Sequence, residues 1–130
     1  MKKGNIQILD LDFEYKLWKN RLMFFESELE LLLDRSTVLV HEHREWQMED
    51  TIKKKLQDHL SAVQIIQSRI ITQEQEMALY AEDYPIDSQH SHYSVHEGIR
   101  EEIERVSQQH AVIFSDIYSI LCYPISSKKE

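Results

Sequence analysis

A seven-residue apolar repeat in the middle of the chain restricts the fold more than any other feature. Between Trp46 and Tyr84 no Gly or Pro occurs. Within this stretch, mostly apolar side chains recur at alternating steps of four and three, the spacing that keeps them on one face of a helix. The repeat consists of Ile52, Leu56, His59, Val63, Ile66, Ile70, Gln73, Met77 and Tyr80. It predicts one continuous helix over residues 46–84, on the order of 55 Å long, whose neighbours are long helices too.

The segment before this helix carries two apolar lines. The first follows the same spacing through Leu11, Tyr15, Trp18, Leu22, Phe25, Leu29 and Leu32, and the second repeats every seven residues at Leu17, Phe24, Leu31 and Val38. We predict a first helix over about residues 10–39 and a short turn around residues 40–45. Together the two lines predict a wide apolar face that touches two neighbouring helices.

A third helix is predicted over about residues 94–123. Pro85 ends the central helix, and Ser94 with Glu97 fits a capping box, in which each side chain binds a free backbone amide of the other residue. Apolar residues then follow at the helical spacing, and Pro124 ends the helix. The polar tail, residues 124–130, is expected to fray.

These features predict an all-α fold: one domain over residues 1–130, an antiparallel up-down-up bundle of three long helices with coiled-coil-like heptad packing. The two Gly and two Pro of the chain are too few for the turns of an all-β fold.

Charge and composition exclude several functional classes. The formal net charge of −8 disfavours nucleic-acid binding, which depends on Lys and Arg. No apolar run approaches the roughly 18 residues of a membrane span. A single cysteine, Cys122, cannot form an internal disulfide, and the polar N-terminal stretch does not resemble a signal peptide. We therefore expect a cytoplasmic protein with no nucleic-acid or membrane partner.

Histidines are the strongest candidates for chemistry. His90, His92 and His96 lie within seven residues of one another, next to Glu97, and imidazole and carboxylate groups are ligands for zinc, nickel or iron. The alternative is a solvated loop whose histidines offset the acidic end of the central helix. His41 and His43 are weaker candidates because a spacing of two residues places them on different helix faces.

The sequence lacks the residue patterns of other catalytic sites. The Glu-x-x-His pattern of di-iron bundles does not occur, and neither does a glycine-rich phosphate loop. We therefore expect no enzyme and no cofactor. His59, Gln73 and His110 lie at seam positions, where we expect each at its own height in the bundle, fixing the register of the helices.

Unequal helix lengths predict an interaction face. If the turns centre near residues 43 and 89, the central helix extends beyond its neighbours and leaves Met77, Tyr80 and Tyr84 partly uncovered. Such uncovered apolar groups predict a homodimer or a protein partner.

Two stretches also resemble a known family. Residues 16–29, KLWKNRLMFFESEL, followed by Asp34 and Arg35, and residues 96–101, HEGIRE, are similar to a family of small all-helical bacterial proteins with no assigned activity. The chain departs from that pattern at Gly98, where a better helix former is expected. The resemblance implies an all-helical fold and transfers no functional residues.

The sequence therefore predicts a non-catalytic structural or protein-interaction bundle that self-associates. The alternative is a small metal-binding or metal-sensing bundle that uses the histidines after Pro85.

Overall fold

The computed structural model describes residues 6–42 and 49–122, and three helices account for most of them. The elements are β1 (Ile6–Gln7), α1 (Ile8–Glu42), α2 (Glu49–Met77), β2 (Pro85–Ile86) and α3 (Ser91–Leu121). Each helix packs against the other two. The predicted all-α class and the three mutually packed helices are therefore confirmed.

Polar pairs between the helices show their relative directions. Lys19 near the start of α1 bonds to Glu74 near the end of α2, whereas Glu26, later in α1, bonds to Gln64, earlier in α2. Contacts between α1 and α3 instead follow the same order along both helices, from Glu14–Arg100 to Glu28–His110. In this structure α2 therefore runs against α1, and α3 runs along it.

The core lies on the axis between the three helices. Members of the first apolar line of α1 and of the central repeat are buried, and α3 contributes every third or fourth residue. Burial of one Leu or Ile side chain stabilises the fold by about 1.5–3 kcal/mol. The completely buried apolar residues of the helices include Tyr15, Leu22, Leu29, Leu56, Val63, Ile70 and Ile99.

The predicted end of the central helix is wrong. α2 ends at Met77 and not at Tyr84, and the chain turns back towards the start of α1. There the backbone carbonyls of Tyr84 and Glu82 accept hydrogen bonds from the amides of Ile8 and Leu9, at 3.0 and 3.1 Å. The first amides of a helix have no hydrogen-bond partner within the helix, and this returning segment supplies acceptors for two of them.

A two-residue antiparallel ladder completes this end of the bundle. Ile6 pairs with Ile86 and Gln7 with Pro85, and Ile86 is completely buried. A straight continuation of α2 would leave Ile86 in solvent and the amides of α1 unpaired. Tertiary contacts thus override the helical periodicity of residues 78–84.

The third helix begins at Ser91, three residues before the predicted start. His90 is its N-cap: its backbone is extended, and its Nδ1 accepts a 3.1 Å hydrogen bond from the amide of His92. Ser94 lies inside the first turn, so the predicted capping box with Glu97 is wrong. Imidazole takes the place of the expected hydroxyl.

Some predictions concern residues that the structure does not describe. The predicted end of the first helix at residue 39 is wrong, because α1 continues to Glu42. The rest of the predicted turn, the predicted start at Trp46 and the tail 124–130 lie outside the described residues. Within the described residues, none of the helices combines the length and the apolar character that a membrane span requires.

Candidate functional site

The three histidines predicted as metal ligands have separate partners in the structure. His90 caps α3, and its ring lies 5.3 Å from that of His92. Nδ1 of His92 lies 3.1 Å from the Gln73 side-chain oxygen. His96, one turn further along, is buried and hydrogen-bonds to Glu14 of α1. The first two imidazoles are therefore neighbours, and the third belongs to another contact.

No geometry for a metal ion results from this arrangement. Across residues 6–42 and 49–122, no group of three or more His, Cys, Asp or Glu side chains is placed to hold a metal ion. His43 lies outside the described residues, so the weaker pair with His41 has no structural account. The start of α3 at Ser91 places His92 and His96 four residues apart on this helix, but their rings bind different groups.

Glu14, His96 and Arg100 form a polar layer between α1 and α3, in which His96 is buried and the other two side chains are partly exposed. Glu14 accepts hydrogen bonds from His96 Nε2 and from Arg100, both at 2.8 Å. Burial by itself raises the pKa of Glu14, but the hydrogen bonds from Arg100 and His96 outweigh it, and the net pKa is lowered. Burial lowers the pKa of His96, so the imidazole is held neutral. The ring of Trp18 stacks on His96 and closes one side of the layer.

A second layer contains Glu28, His110 and His59, one residue from each helix. His110 Nε2 lies 2.8 Å from Glu28 Oε1, and its Nδ1 lies 3.1 Å from His59 Nε2. Donation from His110 Nε2 to Glu28 leaves Nδ1 as the acceptor for the N–H of His59. Burial, and then the neighbouring His110, lowers the pKa of His59 to about 4. The expectation that His59 and His110 lie at different heights is therefore wrong.

The two layers repeat one motif. Glu14 and Glu28 are two heptads apart on α1, and His96 and His110 are two heptads apart on α3. The prediction considered the histidines and overlooked their carboxylate partners. The shared spacing of fourteen residues was the available signal, because two helices in fixed register bring equally spaced residues together.

The hydrogen bonds of these layers join helices to one another. In the described part of the chain, no Ser, Thr or Cys side chain hydrogen-bonds to His59, His96 or His110, so a nucleophile is not assembled there. Each layer joins a partly exposed carboxylate of α1 to a buried imidazole of α3, so a shift of one helix along the other would separate the pair.

The predicted interaction face at the end of α2 is already occupied by the chain itself. Met77 is buried. Tyr80 is half-buried, and its ring packs edge-on against Tyr84 and His92. The prediction assumed that α2 continues past its neighbours, whereas the returning segment with β2 covers this end. Of the three predicted residues, Tyr84 remains the most exposed, at 40%.

An exposed apolar stripe runs along α1 instead, and it is formed by the second apolar line of the sequence. Leu17, Phe24, Leu31 and Val38 are 53%, 61%, 69% and 44% exposed. The prediction that both lines belong to one wide core face is therefore wrong. Phe13, which is also exposed, extends the stripe towards the start of the helix. We call these five residues the α1 stripe.

The stripe lies opposite the core because of helix geometry. Each heptad member of the stripe follows a completely buried residue by two positions, and those buried residues are Tyr15, Leu22, Leu29 and Ser36. At 3.6 residues per turn, two positions correspond to about 200° around the helix. α1 therefore has two apolar faces: one covered by α2 and α3, the other by no described residue.

No protein-family model, no curated protein and no solved structure matches the chain. The resemblance to small helical bacterial proteins therefore stays a prediction.

Proposed function

We propose that the protein is a non-catalytic interaction module that binds another polypeptide on the α1 stripe. The observation that carries this proposal is the exposure of four large apolar side chains in strict heptad spacing along one line of α1. Single exposed apolar residues are ordinary on protein surfaces, but large apolar residues repeated every seven positions along one helix line are the pattern by which one helix docks on another.

The stripe offers enough binding energy for association. Complete burial of a Leu or Phe side chain gives about 1.5–3 kcal/mol, and each of the four heptad residues retains roughly half of its surface to bury. The expected gain is therefore several kcal/mol before the cost of immobilising two molecules. Its narrow, straight form suits a helix laid alongside α1.

The charges beside the stripe favour a polypeptide over a lipid surface. Helices that lie on membranes carry Lys and Arg next to their apolar face. Here the flanking positions hold both signs, with Glu28, Glu30 and Asp34 beside Lys16 and Arg21. The net charge of −8 opposes binding to anionic lipid as well.

A photo-reactive amino acid at position 31 tests the proposal in the cells that produce the protein. The matched control places the same probe at Leu79, which is 88% exposed and lies two residues after the end of α2, outside the α1 stripe. We expect a discrete protein adduct from position 31 and none from position 79. Equal labelling from both positions, adducts with lipid only, or no adduct at position 31 would overturn the proposal.

A further inference from the structure

We infer that the polypeptide bound by the α1 stripe is a second copy of this chain, whose α1 lies antiparallel to the first. This inference rests on the proposed function, because it names the occupant of the same surface. It depends on the shape of the stripe, on the small residues between its members and on the charges along its border.

The shape of the stripe requires a long helical partner with its own heptad repeat. From Phe13 to Val38 the stripe extends on the order of 38 Å at 1.5 Å per residue. Only a partner that repeats every seven residues stays in contact over such a length. α1 is itself such a helix, and a second copy presents its stripe in the same exposed state.

The residues between the stripe members permit close approach. Asn20 and Ser27 occupy the alternate positions of the heptad, and both are exposed. In the antiparallel register described below, Phe24 of one copy faces Ser27 of the other, and Leu31 faces Asn20. In these two central layers large side chains thus meet small ones, the pattern by which facing layers interdigitate. In the outer layers of the same register Phe13 faces Val38, and Leu17 faces Asp34.

Charges along one border of the stripe select this orientation. Glu14, Arg21, Glu28 and Arg35 recur every seven residues with alternating sign. When two copies run antiparallel, the register that places Arg21 opposite Glu28 also places Glu14 opposite Arg35. Each pair occurs twice because the two-fold axis relates the copies. A parallel pair would instead bring Lys16 of one copy beside Arg21 of the other and Glu30 beside Arg35, so that a repulsive contact offsets an attractive one.

The central pair, Arg21 with Glu28, has groups available to form it. Arg21 is exposed, and its guanidinium makes no hydrogen bond or ion pair with any described residue. Glu28 uses only Oε1 in its contact with His110 within the chain. The outer pair, Glu14 with Arg35, is less free to form because both carboxylate oxygens of Glu14 already bind Arg100. We therefore infer that the contact between Arg21 and Glu28 selects the antiparallel orientation.

The expected interface is of modest size. Two helices paired over this length bury on the order of 1,000 Å² in total, near the lower limit for a specific complex. The dimer should therefore dissociate on dilution, and its assembly should be measured over about 1 to 200 µM.

Charge reversal in the purified full chain tests the pairing. Arg21→Glu should weaken dimerisation at least tenfold in sedimentation equilibrium, because it places two carboxylates together at both central contacts. An equimolar mixture of Arg21→Glu with Glu28→Lys should restore a dimer, because opposite charges then meet at both contacts. Circular dichroism of each variant verifies that the helices remain. An unchanged dimer in Arg21→Glu, or no dimer in the mixture of two folded variants, would overturn the pairing.

Cysteine cross-linking tests the orientation independently. On a Cys122→Ser background, Ser27→Cys lies near the two-fold axis and should be linked between copies by a short bis-maleimide. Asp34→Cys should not be linked, because in antiparallel helices the two copies of that position are on the order of 25 Å apart along the axis. Efficient linking at both positions would show a parallel dimer and overturn the inference.

Failure of this inference is separable from failure of the proposed function. A monomer at every concentration, together with a heterologous protein adduct from the probe at position 31, would refute the second copy and retain the docking surface. A monomer that also gives no adduct would refute both.

Discussion

Two leucines on opposite sides of one turn of α1, Leu29 and Leu31, offer a direct test of its two apolar faces. Leu29 is completely buried, whereas Leu31 is 69% exposed. Replacement of each by Ala removes the same atoms. The free energy of unfolding should therefore respond to position alone, with no difference in the chemistry of the two changes.

The expected magnitudes are far apart. Leu29→Ala leaves a cavity between three helices and should lower the free energy of unfolding by about 3–5 kcal/mol. That is a large fraction of the roughly 5–15 kcal/mol that stabilises a domain of ordinary size. Leu31→Ala, with most of its surface in water in the monomer, should change it by less than about 0.5 kcal/mol.

Urea unfolding monitored by circular dichroism measures both effects. The protein concentration should lie below the dimer dissociation constant, because association would add to the apparent stability. At higher concentration the midpoint of the wild type should rise while that of Leu31→Ala rises less. Equal destabilisation by the two substitutions at low concentration would show that position 31 belongs to the core, and the account of α1 would be wrong.

Three further predictions concern the polar layers and one glycine. Burial and His110 lower the pKa of His59 from its ordinary 6.5 to about 4, so between these pH values the unfolded chain takes up a proton that the folded chain excludes. The free energy of unfolding should therefore fall as the pH drops from 6.5 towards 4. His59→Phe should reduce that fall by on the order of 2 kcal/mol in urea titrations at pH 7 and 4.5. Glu14→Gln should lower the free energy of unfolding at pH 7 by about 1–3 kcal/mol, because it removes the charged acceptor of His96; thermal melting that matches the wild type would contradict this role. Gly98→Ala should raise the free energy of unfolding by about 0.5–1 kcal/mol, because the position lies inside α3 with no heavy atom within 4 Å of an added Cβ, and a lower melting temperature would count against it.

The helices and most of the core follow from the sequence because heptad spacing reports helical structure directly. The central repeat is buried at Ile52, Leu56, Val63 and Ile70, as predicted. Spacing does not report which of two apolar lines faces inward, since Leu22 and Phe24 belong to equally regular repeats. Their different exposure depends on which face α2 and α3 cover, and this is a tertiary property.

Local signals also failed where a tertiary contact decided the conformation. Residues 78–84 have helical periodicity, but their carbonyls bind the amides of Ile8 and Leu9, which lie about seventy residues earlier in the chain. The capping box at Ser94 does not form because α3 already begins at Ser91, with His90 as its N-cap. The Glu–His layers required knowledge of the register between α1 and α3. Only the fourteen-residue spacing shared by the two pairs indicated that register.

The central claim is that the α1 stripe joins two copies of the chain, and sedimentation equilibrium on three proteins tests it most directly. The wild type is compared with Leu31→Glu and with Ile65→Glu, a matched change at a residue of α2 that is 61% exposed. The account predicts a concentration-dependent dimer for the wild type and for Ile65→Glu, and a monomer for Leu31→Glu, with equal helical content in all three. Dimers of equal strength in all three, or a dimer lost only in Ile65→Glu, would contradict it.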